Sequence, residues 1–160
     1  MAMALNGVRI LDLSRYAPGF YVSMYLGDMG ADVIKIEEPA ATGRRTGFKE
    51  EPLDYKSMED QRGSAYNSLE RNKRKVALNL KDNEAKEVFF KLVQTADVIL
   101  EGSRPGVADR LGIDYKSCAN INPRIIYCSL TGYGQGGPYR LMAGHDINYI
   151  SMAGALGAIG

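Results

Sequence analysis

Metal-binding side chains are scarce in this chain of 160 residues: it has one histidine and two cysteines, and neither Cys118 nor Cys128 stands in a Cys-x-x-Cys pair. So sparse a set cannot make a zinc-type His/Cys cluster, and two unpatterned cysteines do not make a disulfide framework. Cys128 lies in an apolar run and reads as an ordinary buried thiol. Long apolar stretches are also missing and no basic-then-apolar leader opens the sequence, so the chain reads as cytoplasmic, with no membrane partner. Charge of one sign is not in excess. With a net charge of +1, the chain has no overall field that would draw nucleic acid. Two phosphate-loop signatures are absent as well. No Gly-x-x-x-x-Gly-Lys-Ser/Thr is present, and the first turn, Ser14-Arg15-Tyr16-Ala17-Pro18-Gly19, lacks Gly-x-Gly-x-x-Gly. These gaps argue against nucleoside triphosphate hydrolysis and against a nicotinamide dinucleotide, although Glu37 and Glu38 end a strand where a ribose-binding acid would sit.

What is present alternates strand and helix. Val8–Leu13 and Ala31–Glu37 read as buried strands on either side of a helix from Phe20 to Met29 that stops at Gly30. Val76–Leu80 reads as a third strand. Asp82 is placed to cap a helix running to Ala96, with Ala85, Val88, Phe89, Leu92 and Val93 on one face. Strand Asp97–Glu101 follows, then short helical turns at Val107–Leu111 and Tyr115–Asn120, strand Arg124–Leu130, and a helix starting near His145. The fold class is α/β, a Rossmann-like, largely parallel sheet with flanking helices. Pro39 to Tyr66 reads as a long surface loop. Residues 1–160 form one α/β portion, without internal repeats, and the uncharged stretch Ser151–Gly160 reads as an ending inside a longer chain.

Two groups of residues carry chemistry. The only histidine stands in Ala143-Gly144-His145-Asp146-Ile147-Asn148-Tyr149, and imidazole is the side chain that gives and takes protons near neutral pH. His145 is a candidate general base, Asp146 a candidate to orient it, and Tyr149, four residues on, shares its helical face. The same pattern also fits a lone structural histidine. Arg71-Asn72-Lys73-Arg74-Lys75, with Arg104 and Arg110, can hold a multiply phosphorylated small ligand through paired donors. It can equally be a solvated face. Asp12, Asp32 and Asp97 belong to the strand pattern and read as structural.

Many runs, in order, resemble family III CoA-transferases (the CaiB/BaiF group). They are Leu5–Leu13, Leu26–Glu37, Arg71–Arg74, Ala96–Glu101 continuing through Arg104–Val107, Arg110–Gly112, Asn122–Arg124, Thr131–Gln135 and Ala143–Tyr149. Only the Ala40–Gln61 stretch lies outside them. The resemblance implies the N-terminal part of the family's large domain, a CoA thioester as substrate without a prosthetic group, and an interlocked homodimer in a chain more than twice as long. The Gly-His-Asp run is similar to the α-methylacyl-CoA racemase branch, in which the histidine matching His145 moves the α-proton and Asp146 is its neighbour. Chemically, that reaction needs an acid and a base on opposite faces of the α-carbon and donors for the enolate oxygen. The alternatives are CoA transfer between a thioester and a carboxylate, through an aspartate nucleophile that the resemblance puts beyond Gly160, or a CoA-binding or assembly piece without catalysis. The partner aspartate of the racemase also lies beyond Gly160, so the isolated portion is expected to be inactive. For acyl-CoA binding the resemblance points to Tyr16, Ala17, Lys73, Arg74, Gly102, Ser103, Arg104 and Arg110, joined by Tyr149 on the His145 helix. One departure stands out: the resemblance implies that many relatives carry arginine where this chain has Glu38, so the phosphate contact there falls to Arg44 or Arg45, or is weaker.

Overall fold

The computed structural model describes residues 2–39 and 68–159. Strands β1 (Arg9–Leu13), β2 (Asp32–Glu37), β3 (Lys73–Ala77), β4 (Val98–Glu101) and β5 (Ile126–Ser129) form one sheet in the order β3-β2-β1-β4-β5. Every pairing is parallel. Helices α1 (Ala17–Asp28), α2 (Asn83–Val93), α3 (Val107–Leu111), α4 (Tyr115–Ile121) and α5 (Asp146–Met152) complete the described elements, with short 3-10 turns at Ser68–Glu70 and Leu156–Ala158.

β1 is the centre of the sheet because it is apolar on both faces. Ile10 lies opposite Val33 on one side and Val98 on the other. Its side chains alternate between two cores, as strand geometry requires. Leu11 joins Ile34, Ile36 and Ile99 beneath Phe89 and Val93 of α2 and Cys118 of α4. Ile10 joins Val33 and Leu26 of α1 on the opposite face. Each such aliphatic or aromatic side chain contributes about 1.5–3 kcal/mol on burial.

Three local outcomes differ from the sequence reading. Helix α1 starts at Ala17 rather than Phe20, because Pro18 falls in the first turn, where a helix needs no backbone donor. Strand β3 is the basic run itself, Lys73–Ala77, and not Val76–Leu80. It is an edge strand, and its alternation is carried by the charged side chains as much as by Val76. Cys128 is exposed while Cys118 is buried. β5 is the opposite edge, and Cys128 shares its face with Ile126, which is 62% exposed.

The connections are held by specific polar contacts. Asp28, at the end of α1, accepts from Arg71 Nε at 2.9 Å and from Asn72 Nδ2 at 2.7 Å, fixing the entry to β3. Asn72 takes a φ of 59°, a left-handed conformation that asparagine tolerates. Asp82 does precede α2, but its carboxylate accepts from Asn79 Nδ2 at 2.7 Å and makes no side-chain cap. Asp114 caps α4, accepting from the backbone of Lys116 at 2.9 Å and from Ser117 Oγ at 2.7 Å. Of the loop expected over Pro39–Tyr66, residues 40 onward lie outside the described residues.

Candidate active site

The chain builds β1, β2 and β3 outward in one direction, then returns to lay β4 and β5 on the other side of β1. The carboxyl ends of β1 and β4 therefore diverge into loops that leave toward opposite faces, and such a crevice is where open α/β sheets bind ligands. Ser14, Arg15, Tyr16 and Ala17 leave β1 there, and Gly102, Ser103 and Arg104 leave β4. The two loops approach closely, since a Cβ on Gly102 would stand 3.7 Å from Ser14 Cα. Tyr16 occupies the N-cap position of α1 with an extended backbone, and its ring is exposed. Ser103 donates its backbone N–H to Glu101 Oε2 at 2.7 Å, which folds the second loop over the strand end.

Two depressions flank this crevice on the α2 side and meet at Glu101. One, of about 200 Å³, is lined by Arg104, Asp109, Tyr115, Tyr127 and Gln135 among others. The other, of about 50 Å³, lies between Leu13, Arg15, Glu38, Leu78, Ser103 and Leu111. Glu38 is not a bare carboxylate at its rim: Arg15 Nη2 is 3.0 Å away and Lys81 Nζ 4.0 Å. Those two cations stand where the sequence suggested Arg44 or Arg45, which lie outside the described residues. Arg110, on α3, is exposed and folds back toward Gly106.

The basic run divides. Arg74 turns to the amino end of the sheet, where its Nη2 meets Asp32 Oδ1 at 2.5 Å and Oδ2 at 2.7 Å. Burial would raise the Asp32 carboxyl, but Arg74 and Arg9 outweigh it and hold it below the ordinary range. Lys73 turns inward under α1. Its ammonium is fully enclosed, 3.7 Å from Asp12 Oδ2 and donating to the Phe20 carbonyl at 3.1 Å. Lys35 is its neighbour, with Nζ 3.4 Å from Asp12 Oδ1. Burial pushes both lysines below their usual range, opposed by the charges of Asp12 and Glu70. Lys73 and Arg74, both expected at the ligand, thus already have protein partners at opposite ends of the sheet.

His145, Asp146 and Tyr149 form a second group on the segment after β5. His145 is the N-cap of α5 and is exposed. Its backbone is pinned: its N–H donates to Asn148 Oδ1 at 2.8 Å, and its carbonyl accepts from the N–H of Asn148 at 2.9 Å. Asp146 is exposed beside it in the first turn. Tyr149 points back into the preceding loop, where its hydroxyl donates to the Gly144 carbonyl at 2.7 Å and its ring meets Tyr133 edge-on at 5.0 Å. Gly144 has to lack a side chain, because a Cβ there would lie 2.7 Å from Tyr149 Cε1.

The structure therefore gathers Tyr16, Ala17, Gly102, Ser103 and Arg104 at one crevice, and holds His145, Asp146 and Tyr149 together on the next loop and helix. The sequence reading missed Glu101, the Arg15–Glu38–Lys81 group and the buried Asp12–Lys35–Lys73 cluster. The signal for the last was a lysine in the middle of an otherwise apolar strand, Val33-Ile34-Lys35-Ile36.

Comparison with known proteins gives consistent matches. The family model described as CoA-transferase family III matches residues 5–160. The chain is 37% identical over 157 residues to the succinate–glutarate CoA-transferase of Agrobacterium fabrum, covering 98% of this chain and 39% of that protein. It is 35% identical over 158 residues to the α-methylacyl-CoA racemase of Mus musculus, covering 99% of this chain and 36% of that one. A solved CAIB/BAIF family protein from Brucella suis superposes with a TM-score of 0.78 at 36% identity, over 96% of this chain and 40% of that chain. The chain thus spans less than half the length of these relatives.

Proposed function

Since the chain belongs to CoA-transferase family III, we propose that it is the acyl-CoA-binding portion of an enzyme that moves the α-proton of a CoA thioester, a racemase-type isomerase. The observation that carries this reading is His145. It stands exposed at the head of α5, directly after Ala143 and Gly144, its N–H bonded to Asn148 Oδ1 and its carbonyl to the N–H groups of Asn148 and Tyr149. An exposed imidazole on a fixed backbone suits proton abstraction next to a thioester carbonyl. In that step the C–H electron pair moves into the C–C bond, the carbonyl becomes an enolate oxygen, and the proton rests on His145. Return of a proton to the other face completes the inversion and needs a second acid. The crevice between β1 and β4 takes the CoA moiety, with Tyr16 and Ala17 on one wall and Gly102, Ser103 and Arg104 on the other.

CoA transfer to a free carboxylate is the second reading, favoured by the similarity to the Agrobacterium succinate–glutarate CoA-transferase. A homodimer of the intact protein is part of either reading, supported by apolar side chains left exposed along Leu141, Met142, Ile147 and Met152. The test is mass-spectrometric α-proton exchange of a 2-methylacyl-CoA in deuterated water, with the longest natural form of the protein. Exchange without any carboxylate acceptor, lost in His145→Ala, is the expected result. No exchange, with CoA transfer appearing once succinate or glutarate is added, would overturn the racemase reading in favour of the transferase.

A further inference from the structure

The Asp12–Lys35–Lys73 cluster is not used by the chemistry above, and its construction points at the ligand crevice. Two ammonium groups lie under α1 against one carboxylate that is completely buried. In some proteins buried ions fix a geometry that apolar packing would leave loose, and losing one partner strands an uncompensated charge. Here the contacts converge on one short segment. Asp12 Oδ1 accepts from the Ser14 N–H at 2.8 Å and from Ser14 Oγ at 2.5 Å, and Asp12 Oδ2 accepts from Ser23 Oγ at 2.6 Å. Lys35 Nζ donates to the Ser14 carbonyl and, at 3.3 Å, to Ser14 Oγ. The Phe20 ring lies 4.0 Å from the Lys35 ammonium and 5.4 Å from that of Lys73, and the Phe20 carbonyl accepts from Lys73. Gly19 lets α1 press onto Ser14, because a Cβ there would overlap the Ser14 side chain. Glu70 adds a negative charge facing both lysines.

We infer that Lys35 is a positioning residue for the ligand site. By holding the Ser14 carbonyl and hydroxyl from below, it fixes the β1–α1 turn against the carboxyl end of β4, so that Tyr16, Ala17 and the first turn of α1 meet the CoA moiety in one preset arrangement. This role rests on the CoA reading of the crevice. It assigns Lys73 the same duty at the Phe20 end of the segment, in place of a direct phosphate contact.

The experiment is calorimetric titration of acetyl-CoA into wild-type protein, Lys35→Met and Lys35→Arg, at a temperature where circular dichroism shows all three folded. Amide hydrogen exchange of Ser14, Gly19 and Phe20 is followed in parallel by NMR. In Lys35→Met the Kd is expected to rise about tenfold and those three amides to exchange faster, while amides of β4 keep their wild-type rates. Lys35→Arg, which keeps a donor on a similar stem, is expected to recover part of the affinity. Unchanged affinity in folded Lys35→Met overturns the inference. If Lys35→Met does not fold, Ser14→Ala serves instead, with a rise in Kd of about threefold expected and no rise overturning the inference. Wild-type protein that fails to bind acetyl-CoA sinks the functional reading itself. The exchange rates then still judge the clamp, which stands if the turn amides alone accelerate and falls if they do not.

Discussion

Replacing Gly132 by alanine should release helix α5 from its loop without unfolding the domain. A Cβ at Gly132 would overlap the Tyr149 ring and stand 2.7 Å from its hydroxyl oxygen. Relief requires Tyr149 to swing out, because its ring is already held edge-on by Tyr133 and its hydroxyl is bonded to Gly144. The hydrogen bond contributes about 1 kcal/mol and the aromatic contact a similar amount, so the two together come to about 2 kcal/mol. That corresponds to a roughly 30-fold increase in local opening. The assay is amide exchange of Asn148 and Tyr149, whose N–H groups donate to the His145 carbonyl at 2.9 and 3.3 Å. Gly136→Ala is the control, since no atom lies within 4 Å of a Cβ there; its effect should stay within about 0.5 kcal/mol. Tyr149→Phe removes the hydroxyl alone and should accelerate exchange about fivefold, the share of a hydrogen bond. If Gly132→Ala exchanges at the rate of Gly136→Ala, Tyr149 does not anchor His145, and the account of that site fails.

Two further outcomes follow from the capping and the thiols. The Ser117 hydroxyl, with backbone amides of the first turn of α4, holds the Asp114 carboxyl below its ordinary range. Its stabilisation is therefore present above the unfolded value of about 3.9 and is lost as pH falls through the depressed folded value. Asp114→Ala should cost about 1 kcal/mol in urea unfolding at pH 7, and a cost that persists undiminished at pH 2 would contradict this. Burial pushes the Cys118 thiol up to about 12, whereas Cys128 is exposed. At pH 8 a disulfide reagent should titrate one thiol promptly and the second only after urea is added; prompt reaction of both would contradict the packing of α4.

Much of the architecture was legible because apolar side chains set it. The runs at Val8–Leu13, Ala31–Glu37 and Asp97–Glu101 are strands flanked by sheet on both sides, and the period of Phe89 and Val93 marks the buried face of α2. β3 was misplaced by three residues because its first half is lysine and arginine. Pattern reading treats those as solvent-facing, whereas Lys73 is buried against a carboxylate contributed by another strand. No local rule reveals a partner 61 residues away, and the inward turn of Lys73 depends on it. Cys128 was misread for a related reason: an apolar run says that a strand exists, not that something covers both of its faces. His145 stands out as a candidate in the sequence because it is unique in the chain, whereas the Arg15–Glu38–Lys81 group does not, since its members come from three separate connections.

The reversal of strand order beside β1 also bears on how the sheet can be assembled. One side of β1 closes early, since α1 and β2 follow directly and Ile10 meets Val33 only 23 positions on. The other side waits for β4, where Leu11 meets Ile99 across 88 positions. On a chain emerging from the ribosome, the central strand therefore has one open edge until the whole stretch to Glu101 has been made. Pairings of such long range are slow to form, and unpaired edges invite association in the meantime. Part of the buried cluster can form in that interval, because Asp12 and Ser14 can take up Lys35 before β4 exists. The β1–α1 turn, proposed above as a wall of the ligand crevice, is then among the first parts of the sheet to be set.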